Sequence, residues 1–237
     1  MTAARPLALA LGLAALLAAG ACGTDPQGAE GGRLAVESLK SLTTSLGAGR
    51  GQTPQSAPEA DAATAARLAA AARQSVRGEV YLARLERGGL LTVLGETGRN
   101  GRTLTLATPS GQGAMLRGGL LVATRGLGDD LMSADTDDAE ALIRGRRSGT
   151  ASRVYRYLDG EGIERPLPAT CSYAAGGAGQ AELIASAAPT VEVRETCEAG
   201  GLTIRNRYAV DAGGRVIASR QWIGPSLGHV RLQRVPK

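Results

Sequence analysis

The chain has 237 residues, of which 43% are hydrophobic, with 34 Gly, one Trp, one His, three Cys and no Phe. That length allows one ordinary domain, or two small ones, around a real core. So few His and Cys residues exclude a zinc finger or a multi-histidine metal centre. The formal charge of +5 rests on Arg, since Lys40 and Lys237 are the only lysines, and with aromatics at 3% the core must be built from Leu, Val, Ile and Ala.

The first 21 residues read as an export signal. Arg5 is followed by an apolar run from Leu7 to Ala21, which as a helix reaches roughly 22 Å, short of the ~30 Å hydrocarbon layer. A basic start, an apolar middle and a small-residue end are the marks of a secretory signal. The end, Ala19-Gly20-Ala21-Cys22, resembles a bacterial lipobox, with Ala19 where Leu is usual. In such signals the Cys thiol is acylated and becomes the new terminus, which makes Cys22 the lipidation site and the bilayer a partner. Each buried methylene contributes about 0.8 kcal/mol, and more than one chain is needed for a stable hold. Gly23 follows where, in similar lipoproteins, Asp favours the inner membrane, so the resemblance implies the outer membrane. The alternative is an ordinary signal peptide cleaved at an A-x-A-like site.

With Cys22 acylated, Cys171 and Cys197 form an even pair in an exported chain, which predicts a disulfide. Closing that loop stabilises the fold by roughly 3–4 kcal/mol in the chain-entropy model. Two unpaired buried thiols are the alternative. A redox dithiol lacks its C-x-x-C spacing.

Residues 22–60 are rich in Gly, Pro, Gln and Ser and read as a tether and linker, with one short helix at 33–46. Asp61 and Gly78 bracket a helix from Ala62 to Val76. Strands follow at Val80–Leu85 and Leu90–Leu94. Asn100-Gly101 is a hairpin signal leading into Arg102–Leu106. Further strands are expected at Ala114–Arg117 and Leu120–Thr124, with Gly118-Gly119 turning between them. Asp135–Arg146 reads as a helix capped by Asp135, acidic at its start and basic at its end. Strands at Arg153–Leu158 and Ile163–Cys171 flank an Asp159-Gly160 turn, and Ala174–Ala181 reads as a weakly structured Gly/Ala loop. Leu202, Ile204, Tyr208 and Val210 share one strand face, with Thr203, Arg205 and Arg207 opposite. Asp211–Gly214 turns into Arg215–Ile223, and Val230–Val235 ends the chain as a strand.

No βαβ unit is visible. The expected fold is mainly β: antiparallel meanders forming a sandwich or partly open barrel, with two or three short helices, in one domain over 61–237.

Little in the sequence points to catalysis. His229 stands without a G-x-S-x-G nucleophile motif. The acids at 129–140 lack calcium-loop spacing and read as helix-start electrostatics. No metal or cofactor is expected. Asp129, Asp130, Glu161 and Glu164 are the candidates if the chain were an enzyme, which would need paired carboxylates about 5–10 Å apart. The Arg residues carry more weight. Arg205, Arg207 and Arg220, with Arg215, Arg231 and Arg234 on neighbouring segments, could line a sheet face that binds an acidic polysaccharide. Solvated outward residues are the plainer reading, and the compartment excludes nucleic acid. Alternation places Val216, Ala218, Arg220 and Trp222 on one face. Trp222 is read as a core filler, with a sugar-stacking platform as the alternative.

Leu120–Asp135, Tyr155–Gly160, and Asn206–Tyr208 with Ser219–Pro225 together resemble the YjbF/GfcB family of capsule and exopolysaccharide lipoproteins. The resemblance covers about Gly78 to Val235 together with the lipobox. It implies an outer-membrane lipoprotein facing the periplasm, assisting polysaccharide secretion or assembly beside other export proteins, and no catalytic residues. A periplasmic polysaccharide-modifying enzyme is the alternative.

Overall fold

Thr103-Leu104-Thr105-Leu106 alternates strictly, and in the computed structural model Leu104 and Leu106 are buried while both threonines are half-buried. The same period of two repeats along most of the chain. The structure describes residues 57–183 and 186–237. The signal segment, Cys22 and most of the linker lie outside the described residues.

Among the described residues, twelve strands form one antiparallel sheet. The first group is β1 (Val80–Leu85), β2 (Leu91–Asn100), β3 (Thr103–Ala107), β4 (Gly113–Arg117) and β5 (Leu120–Arg125). The second is β6 (Leu131–Ala134), β7 (Gly149–Leu158), β8 (Glu164–Leu183), β9 (Ser186–Ala199), β10 (Leu202–Val210), β11 (Val216–Gly224) and β12 (Gly228–Arg234). Every strand pairs with its chain neighbours except β5 with β6, and β12 returns to pair with β1. The result is a nearly closed barrel rather than a sandwich. Its one seam lies between β5 and β6, where side chains stand in for a ladder. The Thr124 hydroxyl donates to Asp130 (2.7 Å) and accepts from the Leu131 amide (2.9 Å), and Arg125 donates to the Leu131 carbonyl (3.3 Å).

Two helices are present among the described residues, α1 (Ala57–Ser75) and α2 (Asp137–Arg144). α1 has small residues on its packing face, and Ala69, Ala72 and Val76 lie against Val80, Val93 and Val235 on the outside of the barrel. α2 buries Ala139 and Ile143 in the main core. It spans one end of the barrel, with Arg144 Nε donating to the Gly214 carbonyl in the β10–β11 turn (2.9 Å). Gly119, at φ +92°, brings the β4–β5 turn so close that a Cβ there would lie 2.5 Å from Val216 Cβ.

Four expectations are corrected. α1 begins at Ala57, so Asp61 lies within it and does not cap it. β2 runs on to Asn100, beyond the expected end at Leu94. Ala174–Ala181 is not a loop: it continues β8 in register against β9, with one irregularity between Ala175 and Ala178. Cross-strand pairing, which low propensity in Ala and Gly cannot forbid, decides it. The N-cap of α2 is Thr136, without a side-chain capping bond, because Asp135 still belongs to the strand side and its amide bonds the Val154 carbonyl (3.0 Å). The short strand β6 just before it had no periodic signal. The Asp159 and Asp211 turns form as expected, each carboxylate accepting the amide four residues on (2.9 and 2.8 Å).

Candidate functional site

Register on the outside of the barrel assembles a feature that no single strand contains. Arg194 pairs with Arg207, Arg207 with Arg220, Arg220 with Arg231 and Arg231 with Arg84. Cross-strand partners point to the same side of a sheet. Five arginines therefore stand in one row across β9, β10, β11, β12 and β1. At ~4.8 Å per strand the row is about 19 Å long. Tyr208, Ser219, Leu232 and Ala83 belong to the adjacent, inward-facing row.

Like charges in a row repel, and Glu86 relieves part of that. Arg220 grips it through Nε (2.8 Å) and Nη2 (2.7 Å), and Arg231 Nε donates to it as well (2.8 Å). The Arg220 bond, working against a smaller burial cost and helped by Arg231, holds the Glu86 carboxyl down to about 2. Arg194 reaches Glu192 at 3.6 Å. Arg207 is exposed and has no ion pair among the described contacts. Arg205 lies two residues from it on the same face, exposed, with its carbonyl accepting from Arg220 Nη1 (2.8 Å). Arg205, Arg207 and Arg220 thus do share one face.

Trp222 does not share it. It is 6% exposed, and Gln221, Trp222 and Ile223 are buried in succession. The paired register of β10 with β11 stops at Arg207–Arg220, and the Trp222 amide donates to Asn206 Oδ1 instead (2.9 Å). That break in the ladder overturns the simple alternation. The indole meets Tyr155 and Tyr157 edge-on, with ring centroids at 5.2 and 5.8 Å. A ring so enclosed offers no sugar platform.

Beneath the row, inside the barrel, lies a polar hub centred on Glu195. It is 0% exposed and receives Arg153 Nη1 on both oxygens (2.9 and 3.0 Å), Tyr173 hydroxyl (2.6 Å), Tyr208 hydroxyl (2.7 Å) and Asn206 Nδ2 (2.8 Å). Arg153 also donates through Nε to the Asp135 carbonyl (3.1 Å) and lies over the Tyr155 ring at 4.6 Å. Burial raises the Glu195 pKa, but the Arg153 charge and the Tyr173 and Asn206 bonds outweigh it and hold the carboxyl below its ordinary range. Burial and the Glu195 charge push the Tyr173 and Tyr208 hydroxyls up, so both stay protonated donors.

Cys171 and Cys197 pair directly across β8 and β9 and form a disulfide. Their sulfurs lie beside Glu195, but sulfurs bonded to each other do not act as thiolate ligands. Of the candidate acids, Asp130 accepts the Thr124 hydroxyl and the Gly126 amide (2.7 and 2.8 Å) and holds the seam. Glu161 and Glu164 are exposed around the β7–β8 turn. His229 is half-buried, and burial with the nearby Arg220 charge lowers it to about 4.

A family model described as group 4 capsule polysaccharide lipoprotein, GfcB/YjbF, matches residues 40–235. The chain belongs to the YjbF family. The crystal structure of the hypothetical lipoprotein YmcC from Escherichia coli K12 is similar at a TM-score of 0.63 and 15% identity, covering 78% of this chain and 98% of that one. At that identity the likeness concerns the fold. No individually curated protein matches. This YjbF-family protein is thus a lipoprotein related to capsule polysaccharide.

The stretches on which the family resemblance rests converge on the hub: Tyr155, Asn206, Tyr208 and Trp222 all lie within it or against it. Arg153 and Glu195, its charged centre, were missed. A signal was present in the alternation, because Glu195 occupies the inward face between Val193 and Cys197, and Arg153 shares that of Tyr155.

Proposed function

We propose that this YjbF-family protein is a non-catalytic, lipid-anchored protein of the outer membrane, facing the periplasm. There it holds an acidic polysaccharide on the arginine row while partner proteins export it. The observation that carries this reading is the row itself, with Arg207 and Arg205 unneutralised and both terminal nitrogens of Arg231 without a described partner. Guanidinium groups grip carboxylates bidentately. A line of them about 19 Å long suits an extended polyanion better than a small anion. The row is rigid because each arginine sits on a paired strand.

Binding of an acidic capsule polymer to the purified lipoprotein, with a neutral glucan as control, tests the reading. Arg194→Ala together with Arg207→Ala is expected to weaken the acidic polymer about tenfold, from roughly 0.7 kcal/mol per exposed charge at low salt. The effect shrinks as salt rises. Equal affinity for neutral and acidic polymers would overturn it. For the anchor, Cys22→Ser is expected to leave an unprocessed precursor or a soluble protein. Membrane fractionation and intact mass decide that, and an unchanged lipid-bearing mass would overturn it.

A further inference from the structure

The barrel end spanned by α2 is not sealed. Between α2 and the opposite rim lies an open cleft of about 350 Å³, at the small end of the range for ligand clefts. Its apolar lining is Tyr81, Leu104, Leu116 and Val216. Around it stand five guanidinium groups, from Arg99, Arg102, Arg144, Arg215 and Arg234, against only two carboxylates, Glu79 and Glu140.

Those two carboxylates are already engaged. Glu140 is held by Arg102 and by Arg144 Nη1 (2.9 Å), and Glu79 by Arg234 Nη2 (2.6 Å). Arg99 and Arg215 differ. Each uses only Nε, towards Glu96 (3.2 Å) and Asp211 (2.7 Å), acids that do not line the cleft. The terminal nitrogens of both have no partner among the described contacts. These are the groups that bind a carboxylate side-on. The apolar lining suits the C–H face of a sugar ring, which a bare anion would leave unused. The cleft's small volume suits a short sugar segment better than a length of polymer.

We infer that this cleft is a subsite for a single carboxylate-bearing sugar unit, such as the end of an acidic polysaccharide chain. It is distinct from the outer row. The inference rests on the reading that the protein handles acidic polysaccharide.

Calorimetry on the full-length lipoprotein in detergent tests it with three probes: a glucuronate-terminated disaccharide, its glucose-terminated counterpart and inorganic phosphate. The acidic disaccharide is expected to bind, and the neutral one and phosphate to bind at least tenfold more weakly. Arg99→Ala with Arg215→Ala should weaken the acidic disaccharide about tenfold to a hundredfold, as loss of bonds to a charged group implies. Arg207→Ala should leave it unchanged. Both cleft arginines are on the surface, and an unaltered melting temperature confirms the fold of that variant. Phosphate binding as tightly as the acidic disaccharide, no binding of either disaccharide, or no effect of the cleft pair would each overturn the inference. If the cleft pair has no effect while the row variants still lose polymer, the cleft reading fails and the row reading stands.

Discussion

Replacing Glu195 by Ala is expected to cost about 3–5 kcal/mol of stability, the range for breaking a buried ion pair by removing one partner. The change leaves Arg153, 2% exposed, without its counter-charge, and takes the acceptor from Tyr173, Tyr208 and Asn206. Arg153→Met alone should cost a similar amount, since it strands the carboxylate. The double variant Arg153→Met/Glu195→Ala should cost much less than the sum, because the two residues act as one unit. Urea unfolding of the three variants measures this, and strict additivity would show that the pair is not coupled. The same residue gives a pH dependence. Glu195 ionises below its ordinary value of 4.5 in the folded chain. Its contribution is therefore fully present above about pH 4.5 and is lost as pH falls towards the lowered folded value. Glu79, Asp159 and Asp211 are lowered as well, so wild-type stability should fall steeply in acid. Glu195→Gln should flatten part of that slope.

Trp222→Ala is expected to cost about 3–5 kcal/mol, as for other large aromatic truncations in cores. This chain has no Phe and one Trp, so few other side chains can fill the space left between Tyr155 and Tyr157. The edge-to-face contacts with both tyrosines would go with the ring. Trp222→Phe should lose less, because it retains an aromatic edge. Thermal melts settle the matter, and an unchanged midpoint for Trp222→Ala would remove the indole from the core.

Strand positions were legible because burial on one face writes itself into the sequence with a period of two. Val80–Leu85 matches residue for residue, and the hairpin signalled by Asn100-Gly101 forms one residue on, with Gly101-Arg102 in the turn and Asn100 paired with Thr103. The Ala174–Ala181 stretch was misread because its order comes from twelve paired positions between β8 and β9 and not from local preference. Trp222 kept its role as core filler but lost its expected face, since a side chain, Asn206, replaces a ladder partner there. No period of two can foresee that substitution.

The amino-acid sequence by itself determined the all-antiparallel, turn-rich character, the positions of most strands, Cys171 and Cys197 as the candidate pair, and the family. All of these depend on local chemistry or on residue counts. The tertiary structure alone decided that the meander closes from β12 onto β1, leaving a seam at β5–β6. It also decided that Arg194, Arg207, Arg220, Arg231 and Arg84 align, and that Arg153 meets Glu195 across 42 residues. The reason is register: a slip of one residue between any two strands would turn one strand's arginine inward and bring an apolar residue out. Which register wins is settled by the packed interior as a whole, and no single strand carries that information.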